Sequence, residues 1–163
     1  WKNFDLSMFF QGVSGYKIFN ALKYEGMFVD TRYNQFSGIM DRFHPEKNPN
    51  GSTPRVTVKD TNGNQNMSDF YVDKGDYLRL KTLTLGYTLD KNLSQKIHIN
   101  KLRFYVTLQN LFTITSYKGF DPEIGESFAN PANKSSKASN EIGVDRGQFP
   151  QPRTFIMGVN INF

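Results

Sequence analysis

Apolar and polar residues alternate along four segments of the chain, and this alternation is the strongest structural signal in the sequence. A period of two places every second side chain on the same face of a β-strand. The pattern predicts strands at about 2–12, 77–89, 102–112 and 153–163. The apolar positions that share a face within these predicted strands are Phe4, Leu6, Met8 and Phe10; Leu83, Leu85, Tyr87 and Leu89; Leu102, Phe104, Val106 and Leu108; and Phe155, Met157, Val159, Ile161 and Phe163.

The lengths of these strands leave two hypotheses open. Each alternating run has about nine to eleven residues, which is the length that a tilted strand needs to cross the hydrocarbon layer of a membrane. A soluble antiparallel sheet with one buried face would show the same alternation. The chain is therefore either part of a transmembrane β-barrel or a soluble β-structured domain that binds or adheres through its long loops.

The lengths of the connections favour the barrel. Residues 13–76 and 113–152 form two long connections, and residues 90–101 form a short one between them. In an antiparallel sheet this order places both long connections at the same end. Outer-membrane barrels have short periplasmic turns and long extracellular loops. We therefore predict an all-β fold, in which this chain supplies four strands of an antiparallel transmembrane β-barrel and two long extracellular loops.

One predicted strand contains a fault in its phase. Leu78 and Leu80 occupy even positions, whereas the apolar residues from Leu83 onward occupy odd positions. A β-bulge near Lys81 and Thr82 would bring both sets to one face. The fault is equally explained if the strand leaves the membrane at this point.

The first long connection contains two local patterns. The spacing of Phe36, Ile39, Met40 and Phe43 predicts a short amphipathic helix that ends before His44. Further on, residues 56–58 and 70–72 flank an Asn-Gly turn at 62–63, and they predict a small β-hairpin.

Composition and charge exclude several classes of protein. The chain has 163 residues, 15% of them aromatic, and no Cys, which excludes disulfides, thiolate metal sites and a cysteine nucleophile. Lys and Arg number 20 against 15 Asp and Glu, and they are spread along the chain, so we expect no nucleic-acid partner. No apolar run approaches the eighteen residues of a transmembrane helix. Residues 1–5 lack the features of a signal peptide, so either no export signal exists or it lies upstream.

Candidate catalytic and metal-binding groups are few. His44 and His98 are isolated in sequence and suggest no catalytic triad. The segment 60–64 has some acidic and amide side chains of a calcium loop, but its glycine and its twelfth residue do not fit that motif. The carboxylates Asp121 and Glu123 lack an identifiable partner for acid–base chemistry. We predict no enzyme activity, no metal site and no cofactor.

A series of short motifs, taken in order, resembles the C-terminal end of a SusC/RagA-type TonB-dependent outer-membrane receptor. The resemblance extends from about Phe4 to Phe163. It is carried by SDFYV at 68–72, GDYLRL at 75–80, LTLGY at 83–87, LRFYVTLQNLF at 102–112, YKGFDPE at 117–123, PQPRTF at 150–155 and the terminal Phe163.

The resemblance implies a location, a function and a set of partners. Such receptors are barrels of about 22 strands with a plugged lumen. They import oligosaccharides or peptides across the cell outer membrane, with energy from the TonB system and with a SusD-like surface lipoprotein that caps the extracellular side. This chain is too short to hold the plug or the segment that contacts TonB, so the resemblance implies that it is the last four strands of a longer protein. The terminal Phe163 is similar to the signal read by the barrel-assembly machinery.

Aromatic residues in the long connections are the candidates for ligand or partner contact. Flat rings beside polar groups suit sugars and peptides. On this basis we select Tyr71, Tyr117, Phe120 and Asp121. The alternative is that these side chains pack the two connections together. The short connection at 90–101 should contribute nothing to recognition because it lies at the opposite end of the predicted sheet.

Overall fold

The computed structural model describes residues 3–28, 34–57, 59–124 and 143–163, which form two compact units. The strand unit comprises Trp1–Gly15, Asp76–Ser116 and Pro150–Phe163, and the loop unit comprises Tyr16–Gly75 and Tyr117–Phe149. None of the helices in the described residues is long and apolar enough to span a membrane. In chain order the elements are β1 (Phe4–Val13), β2 (Lys17–Asn20), α1 (Ala21–Gly26), β3 (Val72–Lys74), β4 (Tyr77–Thr88), α2 (Lys91–Lys96), β5 (Lys101–Gln109), β6 (Thr113–Thr115), β7 (Val144–Asp145) and β8 (Thr154–Asn162).

The strand unit is one antiparallel sheet with the strand order β1-β4-β5-β8. Its four long strands lie where the alternation predicts them. The third is shorter than expected, because Asn110 adopts a positive φ of 51° and turns the chain after Gln109. Asparagine tolerates this backbone region better than most residues. The chain then continues as β6, which pairs with the first residues of β4.

A β-bulge explains the phase fault. Phe9 pairs with Thr82, but the next residue, Phe10, pairs with Leu80, so Lys81 is an extra residue on β4. The bulge shifts the register by one and returns Leu80 to the face that carries Leu83. Of the two explanations that the sequence left open, the bulge is confirmed.

The register gives the sheet one apolar and one polar face, because directly paired residues of an antiparallel sheet lie on the same face. The apolar face carries Phe4, Leu6, Met8, Leu83, Leu85, Tyr87, Leu102, Phe104, Val106, Leu108, Phe155, Met157, Val159 and Ile161. The polar face carries Asp5, Ser7, Thr82, Thr84, Gly86, Lys101, Arg103, Tyr105, Thr107, Gln109, Thr154, Gly158 and Asn160, with Phe9 and Ile156 as apolar exceptions.

Both long connections leave the sheet at the same end, as the order of connection lengths predicts. The pairs Val13–Tyr77 and Gln109–Thr154 mark that end. The short connection lies at the opposite end, where Thr88 pairs with Arg103, and it contains helix α2.

The loop unit is built from both long connections. Strand β2 pairs antiparallel with β3 and parallel with β7, and the Phe19 N–H donates to the carbonyl of Gly143 over 2.8 Å. Helix α1 follows β2 directly, and its N-cap Asn20 accepts a hydrogen bond from the Lys23 N–H. Ile18, at 0% exposed, is the most buried apolar side chain of this small core.

Of the two local patterns in the first connection, the helix is confirmed in part and the hairpin is wrong. A short helix does end before His44, but it is a 3₁₀ helix, Ser37–Asp41, and its apolar residues do not share a buried face, since Ile39 is buried and Met40 is 73% exposed. The helix ends at Asp41 because the next residue, Arg42, has extended backbone angles, and the Asp41 carbonyl accepts from the Thr53 N–H instead. The small hairpin does not form. Val72 pairs with Phe19 of β2, and the non-local strand pairing replaces the local one. Val58, in the first predicted arm, lies outside the described residues.

Candidate functional site

Tyr71 lies at the centre of an aromatic cluster in the loop unit. Its side chain is 1% exposed, and its ring contacts Tyr24 and Phe70 edge-on at centroid distances of 5.1 and 5.0 Å. The hydroxyl donates to the Asn64 carbonyl over 2.8 Å. Burial raises the pKa of Tyr71 to about 12. Tyr71 therefore packs the loop unit from inside, and its contact with a ligand stays a prediction.

Tyr117 ties the two arms of the second long connection together. Its hydroxyl donates to Asp145 Oδ2 over 2.6 Å. The Asp145 carboxylate is 1% exposed, and its other oxygen accepts from the Gly147 and Gln148 N–H groups at 2.8 and 3.1 Å. Burial and the adjacent carboxylate hold the pKa of Tyr117 far above its ordinary value, and the same two causes raise the pKa of Tyr16. This buried pair fixes where the connection begins and ends.

Asp121 and Phe120 are neighbours with opposite environments. Asp121 is 3% exposed, and its Oδ1 accepts from the Glu123 N–H over 2.9 Å. Phe120 is 66% exposed. Among the four side chains selected from the sequence, Phe120 is therefore the one whose ring can reach a ligand without rearrangement of the loop unit.

A closed, hydrogen-bonded surface loop is a feature that the sequence pattern did not reveal. Residues 42–53 close on themselves through a bridge between Arg42 and Thr53, in the manner of an Ω-loop. The Asp41 carboxylate holds the closure by accepting from the Ser52 N–H and Oγ at 3.1 and 2.5 Å and from Asn48 Nδ2 at 3.1 Å. These hydrogen bonds lower the pKa of Asp41. The turn-forming residues at 48–52 indicate a loop, but the spacing of Phe36, Ile39, Met40 and Phe43 favoured a helix up to Phe43.

Exposed apolar side chains lie within this loop and just before it. Phe36, Met40 and Phe43 are 48%, 73% and 40% exposed. Since large apolar side chains in one short stretch are often contact residues, this stretch joins Phe120 as a candidate recognition surface. Tyr33, another loop aromatic, lies outside the described residues.

Among the residues that the structure describes, no group of three or more His, Cys, Asp and Glu side chains could hold a metal ion. His44 Nδ1 accepts from the Glu46 and Lys47 N–H groups at 3.2 and 3.1 Å, so this histidine stabilises its own turn. Asp60 accepts from the Asn64 and Gln65 N–H groups at 2.8 and 3.0 Å, which is the geometry of a hydrogen-bonded turn.

The apolar face is largely exposed in this chain. Phe104, Met157 and Val159 are 46%, 80% and 50% exposed, and Phe155 and Leu6 are also more than half exposed. An apolar surface that spans four strands needs an apolar environment. On the polar face, by contrast, the side chains bond one another, as with Thr84 Oγ1 and Thr107 Oγ1 at 2.9 Å.

The sequence is similar over its whole length to curated TonB-dependent receptors. It is 37% identical over 164 residues to TonB-dependent receptor P3 of Formosa agariphila, covering 100% of this chain and 15% of the relative. It is 28% identical over 166 residues to TonB-dependent receptor SusC of Bacteroides thetaiotaomicron, covering 100% of this chain and 14% of the relative. No protein-family model matches the chain.

The fold is similar to part of a solved importer. A chain of the RagAB peptide importer in its closed-closed state superposes with a TM-score of 0.76 at 24% identity, covering 100% of this chain and 16% of that chain. The chain matches the C-terminal part of a SusC/RagA-type TonB-dependent receptor. It spans about a seventh of the length of the curated receptors that it matches.

The match agrees with the architecture expected from the sequence. A SusC/RagA-type receptor segment should contain long antiparallel strands with alternating faces, and the strand unit has them. The resemblance identified from the motifs is therefore confirmed.

Proposed function

We propose that the receptor containing this chain imports nutrients across the outer membrane, and that the strand unit is four adjacent strands of its transmembrane β-barrel. The observation that carries this proposal is the apolar face, which has no charged residue at any paired position of β1, β4, β5 and β8. In a barrel, such a face meets lipid while the opposite polar face lines the lumen.

The same observation disfavours a soluble binding or adhesion domain. A soluble four-stranded sheet would have to cover its apolar face with other parts of the fold, yet Met157 remains 80% and Leu6 60% exposed. The strands have 9 to 12 residues, enough to cross a bilayer when tilted. The named relatives are receptors and importers, which supports a transport role without enzyme activity.

We propose oligosaccharides or peptides as the imported nutrients. The similarity to the RagAB peptide importer and to the SusC receptor supports these classes. Import would use the TonB system through parts of the receptor that precede this segment and a SusD-like lipoprotein at the extracellular side. We further propose that Phe163, which is 86% exposed, is read by the barrel-assembly machinery.

Within the loop unit we propose a division of roles among the four selected residues. The exposed ring of Phe120 contacts the nutrient or the capping lipoprotein. Tyr71, Tyr117 and Asp121 support that contact by fixing the loops, since each is buried and hydrogen-bonded within the loop unit.

Uptake in cells tests the proposed function. A strain that lacks the receptor would be complemented with the full-length gene and supplied with a labelled peptide mixture or a labelled oligosaccharide mixture. Uptake of one mixture should depend on both the receptor and TonB. Equal uptake with and without the receptor, for both mixtures, would contradict the proposal. A strain without TonB is the matched control for passive leakage.

A further inference from the structure

An ion pair lies across the polar face of the strand unit. Arg103 Nη2 lies 2.6 Å from Asp5 Oδ2, and Arg103 Nε donates to Asp5 Oδ1 over 3.0 Å. The pair is bidentate and joins β5 to β1, which are not neighbours, by passing over β4. Such fork-shaped contacts are the most specific that arginine makes with a carboxylate.

Gly86 is the residue that permits this contact. A Cβ at Gly86 would lie 2.4 Å from both Arg103 Nη2 and Asp5 Oδ1. Because Gly86 has no side chain, the guanidinium and the carboxylate can both lie close to the backbone of β4. The Arg103 guanidinium also faces the Tyr105 ring at 5.3 Å, and that ring in turn lies over Gly158. At Gly86 and Gly158, the side chains of neighbouring strands therefore lie close to the backbone of the sheet.

The pair is poorly explained as a stabilising contact. The Asp5 and Arg103 side chains are 50% and 21% exposed, and exposed ion pairs contribute little to folding stability. Its clearest physical effect is on charge. Asp5 accepts from Nε and Nη2, the edge of the Arg103 guanidinium that would otherwise be open to a carboxylate or a phosphate. Lys101 lies on the same face, and without Asp5 this region of the sheet would be strongly cationic.

We propose that Asp5 determines charge selectivity by withholding Arg103 from anionic groups that move along the polar face. This inference rests on the proposed function, because it requires that the polar face lines the path of the nutrient. With the pair formed, acidic and neutral peptides meet a similar surface. With Asp5 removed, Arg103 captures carboxylates, so acidic peptides are retained.

Binding to the purified full-length receptor tests the inference. The probes are acetylated tetra-aspartate and acetylated tetra-serine peptides, measured by equilibrium dialysis at low salt, where charge effects are least screened. Asp5→Asn should bind the acidic peptide about tenfold more tightly than the wild type does, the effect of gaining a charge-assisted hydrogen bond. Binding of tetra-serine should not change. The double variant Asp5→Asn with Arg103→Gln should return to the wild-type value.

Arg103→Gln separates charge selectivity from a structural role. Both single variants break the same ion pair, so a structural role predicts the same change in each. Of these two variants, the inference predicts tighter binding of the acidic peptide only in Asp5→Asn. In Gly86→Ala the added methyl group would separate Asp5 from Arg103 by steric conflict, so this variant should also bind the acidic peptide more tightly than the wild type does. Unchanged binding of the acidic peptide in Asp5→Asn, or an equal increase in Arg103→Gln, would overturn the inference.

The binding measurement is independent of import. If the wild-type receptor fails to import any nutrient while Asp5→Asn still gains affinity for tetra-aspartate, the proposed function fails and the masking of Arg103 by Asp5 stands. If import is normal and Asp5→Asn gains no affinity, the masking fails and the proposed function stands.

Discussion

Two adjacent residues of β5 test which face of the sheet meets lipid. Val106 lies on the apolar face between Leu85 and Met157, whereas Thr107 lies on the polar face and shares a hydrogen bond with Thr84. The substitutions Val106→Arg and Thr107→Arg introduce the same side chain one residue apart, near the middle of the same strand. The change in net charge is therefore the same in both variants, and the loss of strand propensity is similar because both replaced residues are β-branched.

The expected magnitudes follow from the two environments. An arginine that faces lipid near the middle of the bilayer costs about 2–4 kcal/mol. At Thr107 the arginine reaches the polar side, and the loss is about 1 kcal/mol for the hydrogen bond between the threonine hydroxyls, which are 2.9 Å apart. The Val106 variant should therefore be less stable by about 1–3 kcal/mol, a factor of about 5 to 150 in the folding equilibrium.

Unfolding of the full-length receptor in lipid vesicles would measure this difference. Urea titration followed by the change in gel migration between folded and unfolded barrel gives the free energy of unfolding for each variant. Val106→Leu is the control, because an apolar exchange facing lipid should cost less than about 1.5 kcal/mol. Equal losses in the two arginine variants, or a larger loss at Thr107, would refute the assignment of faces.

Three further predictions concern the loop unit. Gly51→Ala should open the loop at 42–53, at a cost of about 1–3 kcal/mol, because the added Cβ would lie 2.7 Å from backbone atoms of Asp41, Arg42 and Phe43; protease cleavage within the loop would detect the opening. The same loop should lose protection from amide exchange in acid, because folding lowers the pKa of Asp41 from its ordinary value of 3.8. The stability that the Asp41 carboxylate contributes is present above pH 3.8 and is lost as the pH falls through the lower pKa of the folded state. Loss of protection already at pH 6 would contradict this. Phe120→Ala should reduce uptake while Tyr71→Phe leaves it near normal, with surface levels checked for both; the opposite result would reverse their proposed roles.

The predictability of the strand unit has a local cause. Alternation with a period of two is a property of each strand by itself. Phe104 and Val106 therefore share a face regardless of which strands pair with β5. The phase fault between Leu80 and Leu83 could be detected because it interrupts this local alternation. The sequence did not distinguish a bulge from the end of the membrane-crossing segment. The order of long and short connections was also sufficient to place both long connections at one end.

The loop unit was less predictable because its contacts join distant parts of the chain. Val72 pairs with Phe19 rather than with a nearby segment. A local hairpin pattern carries no information about pairing with a strand so far away in the sequence. The helix around Ile39 is shorter than its spacing predicts, because Arg42 is extended and the backbone of Asp41 and Phe43 bonds to the distant Thr53. Four contact residues were selected because they are aromatic or acidic, and residue type alone did not indicate which of the four side chains are buried.

The sequence by itself determined the strands, the two faces and the resemblance to a receptor barrel, because these depend on residue order and on short-range periodicity. Only the tertiary structure decided which side chains meet. It placed Asp5 against Arg103, 98 residues apart, over a glycine of a third strand, and it buried Tyr117 against Asp145. Such contacts depend on strand register and on the packing of distant segments, and neither is encoded in a single segment of the chain.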